Sequence, residues 1–224
     1  MAQLLYTTEY LYPLQHALFQ NLLDQLPIRL QEQVLRYRRW EDAYGCLFGK
    51  HLLRMALRRI NSPSDLGGLR YSAENKPYFE RGPFFSISHS ANRVVCFVSE
   101  EAEVGIDIEK IGNICPDEFR DQFAPAEWSV IKGSSDPIET FYWLWTAKES
   151  VIKGDGRGLG LALPLVDVTG GESVCIDGRI WGLTRVPYFQ GYACHLVVEA
   201  GGDASNPGLD PALAVEAFEP YELG

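Results

Sequence analysis

Asp107 and Glu109 stand two residues apart in Val104-Gly105-Ile106-Asp107-Ile108-Glu109. In a β-strand alternate side chains share a face, so Ile106 and Ile108 bury while both carboxylates leave the other side, Cα atoms about 6.5–7 Å apart. Such a pair can converge on one hard divalent cation, which prefers oxygen ligands. The same pattern also fits an exposed strand with a solvated acidic face. A second group lies in FYWLWTAKESVIK, residues 141–153. At helical spacing Tyr142, Thr146, Glu149 and Lys153 share one face, and Phe141, Leu144, Val151 and Ile152 mark an apolar arc. Glu149 and Lys153 form an i,i+4 pair, which an ordinary surface ion pair would also explain. Lys148 falls inside the apolar arc, where a lysine either snorkels or reaches a buried anion.

Two further segments carry polar chemistry. FFSISHS (84–90) reads as a strand running into a tip of hydroxyls, the His89 imidazole and main-chain N–H groups. That tip can hold phosphate oxygens, and it also fits a hydroxyl-rich hairpin turn. Gly154–Gly160 is glycine-rich but follows a helical pattern. The strand–loop–helix context of a dinucleotide loop is missing, so a turn is expected there.

The elements that must position these groups alternate between helix and strand without a regular βαβ period, which points to an α+β class. Helical spacing covers 13–26, 29–60, 116–133 and 137–153. Strands are expected at 69–72, 84–87, 93–99, 104–109, 166–169, 173–176, 180–186 and 192–199. A break near residue 103 divides the chain into an N-terminal half (1–103) and a C-terminal half (104–200). Residues 201–224 read as an acidic tail or irregular edge.

The chain has 224 residues, 46% of them hydrophobic, and a formal net charge of −10. These values suit a globular protein and argue against a general nucleic-acid binder. The charge is uneven. Residues 1–98 hold 12 Lys+Arg against 8 Asp+Glu, a local +4, and residues 99–224 hold 8 against 22, a local −14. Five scattered cysteines without a CxxC pattern argue against a disulfide framework or structural zinc. The first residues lack a basic n-region, and no apolar run approaches a membrane span, so a cytoplasmic protein that meets neither membrane nor nucleic acid is expected.

Taken in order, FSISHS (85–90), VGIDIEK (104–110) and WTAKESVIKGDGRGL (145–159) resemble the surfactin-synthetase-activating type of the 4'-phosphopantetheinyl transferase superfamily. Lys76-Pro77-Tyr78, Glu41-Asp42-Ala43, Gly49…Arg54 and Phe123…Glu127 fit further elements of that family. The resemblance runs over most of 29–160. It implies an α+β fold of two similar halves with pseudo-twofold symmetry and the site at their junction. It also implies the reaction, transfer of 4'-phosphopantetheine from coenzyme A to a serine of an apo acyl or peptidyl carrier protein. Adenosine 3',5'-bisphosphate is the second product.

By the same resemblance Asp107, Glu109 and Glu149 are Mg²⁺ ligands, and Glu149 is the base for the serine proton. A cation beside Glu149 would depress its pKa. Lys153 and Lys148 would stabilise the pyrophosphate. Ser88, His89, Arg54 and Lys76 would hold the remaining phosphates and the nucleotide. Leu30 and Gln33 stand where the family pattern has lysines for the 3'-phosphate, with Arg29 or Arg36 as nearby substitutes. If neither arginine substitutes, lower affinity for the 3'-phosphate and weaker discrimination against dephospho-coenzyme A are expected. Fatty-acid, polyketide and nonribosomal-peptide carriers remain open as partners. A chain holding both halves needs no partner subunit, so a monomer is expected. Two other classes compete: another Mg²⁺-dependent phosphotransfer enzyme or nuclease, and a non-catalytic carrier-binding relative.

Overall fold

The structure, a computed structural model, describes residues 2–11, 13–200 and 214–223. In chain order the elements are β1 (Ala2–Thr7), α1 (His16–Asp24), α2 (Ile28–Leu35), α3 (Trp40–Arg59), β2 (Leu69–Tyr71), β3 (Pro77–Phe79), β4 (Phe84–Ser90), β5 (Arg93–Ser99) and β6 (Val104–Lys110). There follow α4 (Pro125–Gly133), α5 (Pro137–Asp155), β7 (Ser173–Ile176), β8 (Arg179–Arg185), β9 (Tyr192–Glu199) and β10 (Ala214–Phe218). Short 3-10 turns occupy 116–122, 158–160, 163–165 and 220–223. Helix and strand mix as an α+β fold requires.

Two four-stranded sheets carry the architecture, ordered β10-β1-β5-β4 and β6-β9-β8-β7. α3 packs on β4 and β5 of the first, and α5 packs on β6 and β9 of the second. On the other side, Leu4, Val95 and Phe97 of the first sheet share a fully buried cluster with Val104, Ile106, Ile108 and Leu196 of the second.

The sheets meet at edge strands β4 and β6. The hydroxyls of Ser86, Ser88 and Ser90 accept from the N–H groups of Ile106 (3.1 Å), Ile108 (3.4 Å) and Lys110 (3.0 Å). An unpaired strand edge normally has to be covered or charged. Here serines at every second position of β4 satisfy it, and the strands run side by side in the same direction.

Several boundaries differ from the sequence pattern, each for a local reason. The helical pattern at 29–60 is two helices, because Arg36–Arg39 are exposed and bury no side chain that would hold a straight continuation. Residues 116–133 split at Pro125, whose ring keeps Ala124 extended before the new helix. No strand forms at 166–169: the Val166 carbonyl accepts from Lys148 and the Val168 N–H donates to Glu127, so side chains take the groups a ladder needs. β1 gives no alternating pattern because Leu4 and Leu5 are both fully buried, one on each covered face. Within the stretch expected as an acidic tail or irregular edge, 214–218 forms an edge strand paired in parallel with β1; residues 201–213 lie outside the described residues.

Candidate active site

Gly105 sets how closely α5 approaches β6. A Cβ there would lie 1.9 Å from the Ser150 carbonyl and 2.5 Å from the Gly154 nitrogen, so α5 rests directly on the β6 backbone. α5 opens with Asp136, whose carboxylate accepts from the Glu139 N–H at 2.9 Å, followed by Pro137. It closes at Gly156, in the left-handed region at φ 87°. Lys76 reaches that end from the other half, donating to the Gly154 carbonyl and to Glu103, both at 2.7 Å.

This packing brings α5, β4 and β6 together. Asp107 is 3% exposed. Its Oδ1 accepts from the Ser88 hydroxyl at 2.9 Å and from the Lys153 ammonium at 2.5 Å. Lys153 also donates to the Ser88 oxygen at 2.8 Å. Asp107 Oδ2 is buried and has no hydrogen-bond partner. Glu109 accepts from Ser90 at 2.7 Å. Burial, then the charge of Asp107, raise the Glu149 pKa above the usual carboxylate range. Burial raises that of Glu109 too, with repulsion from Asp107 and Glu149 adding to it.

Three carboxylates thus share the charge of Lys153, and one buried oxygen is orphaned. Such an all-oxygen set suits a hard divalent cation. Among the described residues no three metal-binding side chains converge as placed.

A cleft of about 500 Å³ lies alongside, lined by Lys76, Pro77, Phe85, Ser86 and Ile87 and by Glu149, Ile152 and Lys153 of α5. His89 is half-buried, its ring against Gly45 of α3. Burial, then Lys153, lower the His89 pKa, and Lys50 adds to the effect. Helical spacing alone puts Lys50 among the polar residues of its helix. It is nevertheless 8% exposed, and Cys46 one turn earlier is its only hydrogen-bonding partner among the described residues. Burial of that ammonium comes from tertiary packing and leaves no mark in the local pattern.

Three residues that the resemblance assigns to phosphates make protein contacts in this structure. Ser88 is 5% exposed, and its hydroxyl bonds to Asp107, Lys153 and the Ile108 N–H. Arg54 does not line the cleft and donates to Gln25 at 3.1 Å. Lys148 is fully buried, paired with Glu127 at 2.5 Å and bonded to the Val166 carbonyl at 2.6 Å. Of the two readings open for a lysine on an apolar arc, the buried anion is the one realised. Desolvation lowers the Lys148 pKa, and its bond to Glu127 opposes that.

The expected substitutes at the N-terminal helix are also accounted for. Leu30 is fully buried and Gln33 accepts from the Tyr71 hydroxyl at 2.9 Å. Arg29 donates to the Leu69 carbonyl, and Arg36 is exposed.

The Glu127–Lys148 pair ties α4, α5 and the 166–168 loop together, because Glu127 also accepts from the Ala124 and Val168 N–H groups. Lys148→Met should therefore cost about 3–5 kcal/mol in denaturant unfolding, the usual penalty for leaving one buried charge unpaired. Activity per folded molecule should change little. Intact stability with lost activity would return Lys148 to the pyrophosphate.

A family model, the 4'-phosphopantetheinyl transferase superfamily, matches residues 103–178. The chain is 35% identical over 144 residues to the 4'-phosphopantetheinyl transferase gsp of Aneurinibacillus migulanus, covering 63% of this chain and 60% of that protein. To the 4'-phosphopantetheinyl transferase Sfp of Bacillus subtilis (strain 168) it is 34% identical over 139 residues, covering 59% and 61%. The chain thus spans about 60% of the length of these two relatives. With the 4'-phosphopantetheinyl transferase ffp of Bacillus subtilis it shares 30% identity over 174 residues, 75% of each protein. On this breadth of similarity, the chain belongs to the 4'-phosphopantetheinyl transferase superfamily.

Proposed function

We propose that the chain transfers 4'-phosphopantetheine from coenzyme A to a serine hydroxyl of an apo carrier protein and releases adenosine 3',5'-bisphosphate. The observation that carries this reading is the orphaned oxygen of Asp107, held beside Lys153 at the join of the two halves, next to the Glu149-lined cleft. The serine proton passes to Glu149, which lines the cleft. The serine oxygen then bonds to the phosphorus bearing the pantetheine arm. The pyrophosphate P–O bond on its far side breaks, and the electron pair leaves with the nucleotide, where Lys153 offsets the growing charge. Mg²⁺, held by Asp107, Glu109 and Glu149, would supply further neutralisation of the pyrophosphate.

Lys76 guards the cleft wall, and Ser88 holds Asp107 and Lys153 in place. Lys50 supplies positive charge, and the His89 ring an N–H donor, for the 3'-phosphate in place of the lysines absent at 30 and 33. The reaction belongs in the cytoplasm with the chain as a monomer. Five free cysteines suit a reducing compartment, and among the described residues no helix is long and apolar enough to cross a membrane.

The product tests the reading. Adenosine 3',5'-bisphosphate should accumulate when coenzyme A, Mg²⁺ and an apo carrier are all present, and should be absent when the carrier serine is alanine. Release independent of that serine would favour a different phosphotransfer enzyme.

A further inference from the structure

Cys46 and Lys50 face each other one turn apart on α3, with Sγ and Nζ separated by 2.8 Å. A hydrogen bond from nitrogen to the smaller oxygen atom already spans about 2.9 Å. Sulfur is larger, so a thiol and an ammonium in simple contact stand further apart than this. Two atoms joined through one shared oxygen sit at about this separation. Lys50 is 8% exposed, with no carboxylate in ion-pair range among the described residues, while Cys46 keeps partial access to solvent. A buried ammonium without a counter-charge is costly, so chemistry that removes the charge is favoured there. The other cysteines lack this setting: Cys96 and Cys194 are buried, Cys115 and Cys175 are exposed, and no lysine bonds to any of them among the described residues.

The geometry points to Cys46 and Lys50 as an oxidative modification site, at which dissolved dioxygen closes a reversible S–O–N bridge between the two side chains. The thiol S–H, one N–H of Lys50 and the O–O bond break, S–O and N–O bonds form, and the ammonium's extra proton passes to solvent. Sulfur and nitrogen each give up two electrons. The second oxygen leaves as water with the two displaced hydrogens. The bridged nitrogen no longer carries a positive charge. On the functional reading above, closure removes a cation from the 3'-phosphate site, so an oxidising environment would weaken coenzyme A binding and a thiol reductant would restore it.

The test weighs the full chain, purified in air, before and after dithiothreitol. The untreated protein should be heavier by one oxygen and lighter by two hydrogens, and reduction should return it to the sequence mass. Cys46→Ser and Lys50→Met should each abolish the shift. The untreated protein should also show a KM for coenzyme A raised about tenfold or more, reversed by the reductant. The sequence mass persisting after long exposure to air, a whole added oxygen with all hydrogens kept, or a shift surviving in either variant would overturn the bridge. The mass readout needs no activity. An unchanged KM beside the mass shift would instead overturn the role given to Lys50 at the phosphate.

Discussion

Glu149→Gln is expected to lower carrier modification by about 10²–10⁴-fold, the usual worth of a positioned general base. Folding stability should hold or rise slightly. The asymmetry follows from the surroundings of Glu149: its carboxylate is desolvated and repelled by Asp107, so the ionised form is held at a cost. An amide of the same shape removes the charge that burial opposes while keeping the volume. A gain or no change in denaturant midpoint, with turnover nearly lost, is the pattern of a group kept for chemistry at the expense of stability. If Glu149→Gln instead unfolds the protein, the carboxylate is serving the fold, and the assignment of the base fails.

Gly105→Ala is expected to do the reverse, removing activity through the fold. Its Cβ would occupy space 1.9 Å from the Ser150 carbonyl and 2.5 Å from the Gly154 nitrogen, both backbone atoms that no rotamer change can move. α5 would have to lift from β6. Ser150 and Gly154 are helical neighbours of Glu149 and Lys153, so lifting them draws both away from Asp107. Overpacking of a core typically costs about 1–3 kcal/mol, and a clash with backbone belongs at or beyond the upper end. Gly154 adds to this, since a Cβ there would meet the Trp181 ring at 2.8 Å. Purified Gly105→Ala should unfold at clearly lower denaturant and lack transfer activity. Wild-type stability in that variant would show that α5 does not rest on the strand as described.

How far the sequence could be read depended on whether a residue's role is local. Asp107 and Glu109 share a face because strand periodicity demands it, and Glu149 and Lys153 because helical periodicity does. Lys148 shows the limit. Its place on an apolar arc gave a choice between snorkelling and a buried anion, and only the packing of α4 against α5 supplies Glu127. The serines of β4 read as a polar tip because nothing local reveals a second strand edge beside them, twenty positions along the chain. β1 and β10 pair across the whole chain, and their short segments carry no periodic mark of it. Lys50 is on the surface by helical pattern and buried by tertiary packing alone.

A carboxylate set at the junction of the halves is held to activate a carrier serine toward coenzyme A. The most direct measurement of this is the mass of an apo carrier protein after incubation with the chain, coenzyme A and Mg²⁺. The expected result is a gain the size of one phosphopantetheine group, located on the carrier serine and abolished by Glu149→Gln and by Asp107→Ala. A carrier mass that never changes across fatty-acid, polyketide and nonribosomal-peptide carriers, or a gain that persists in both variants, would contradict it.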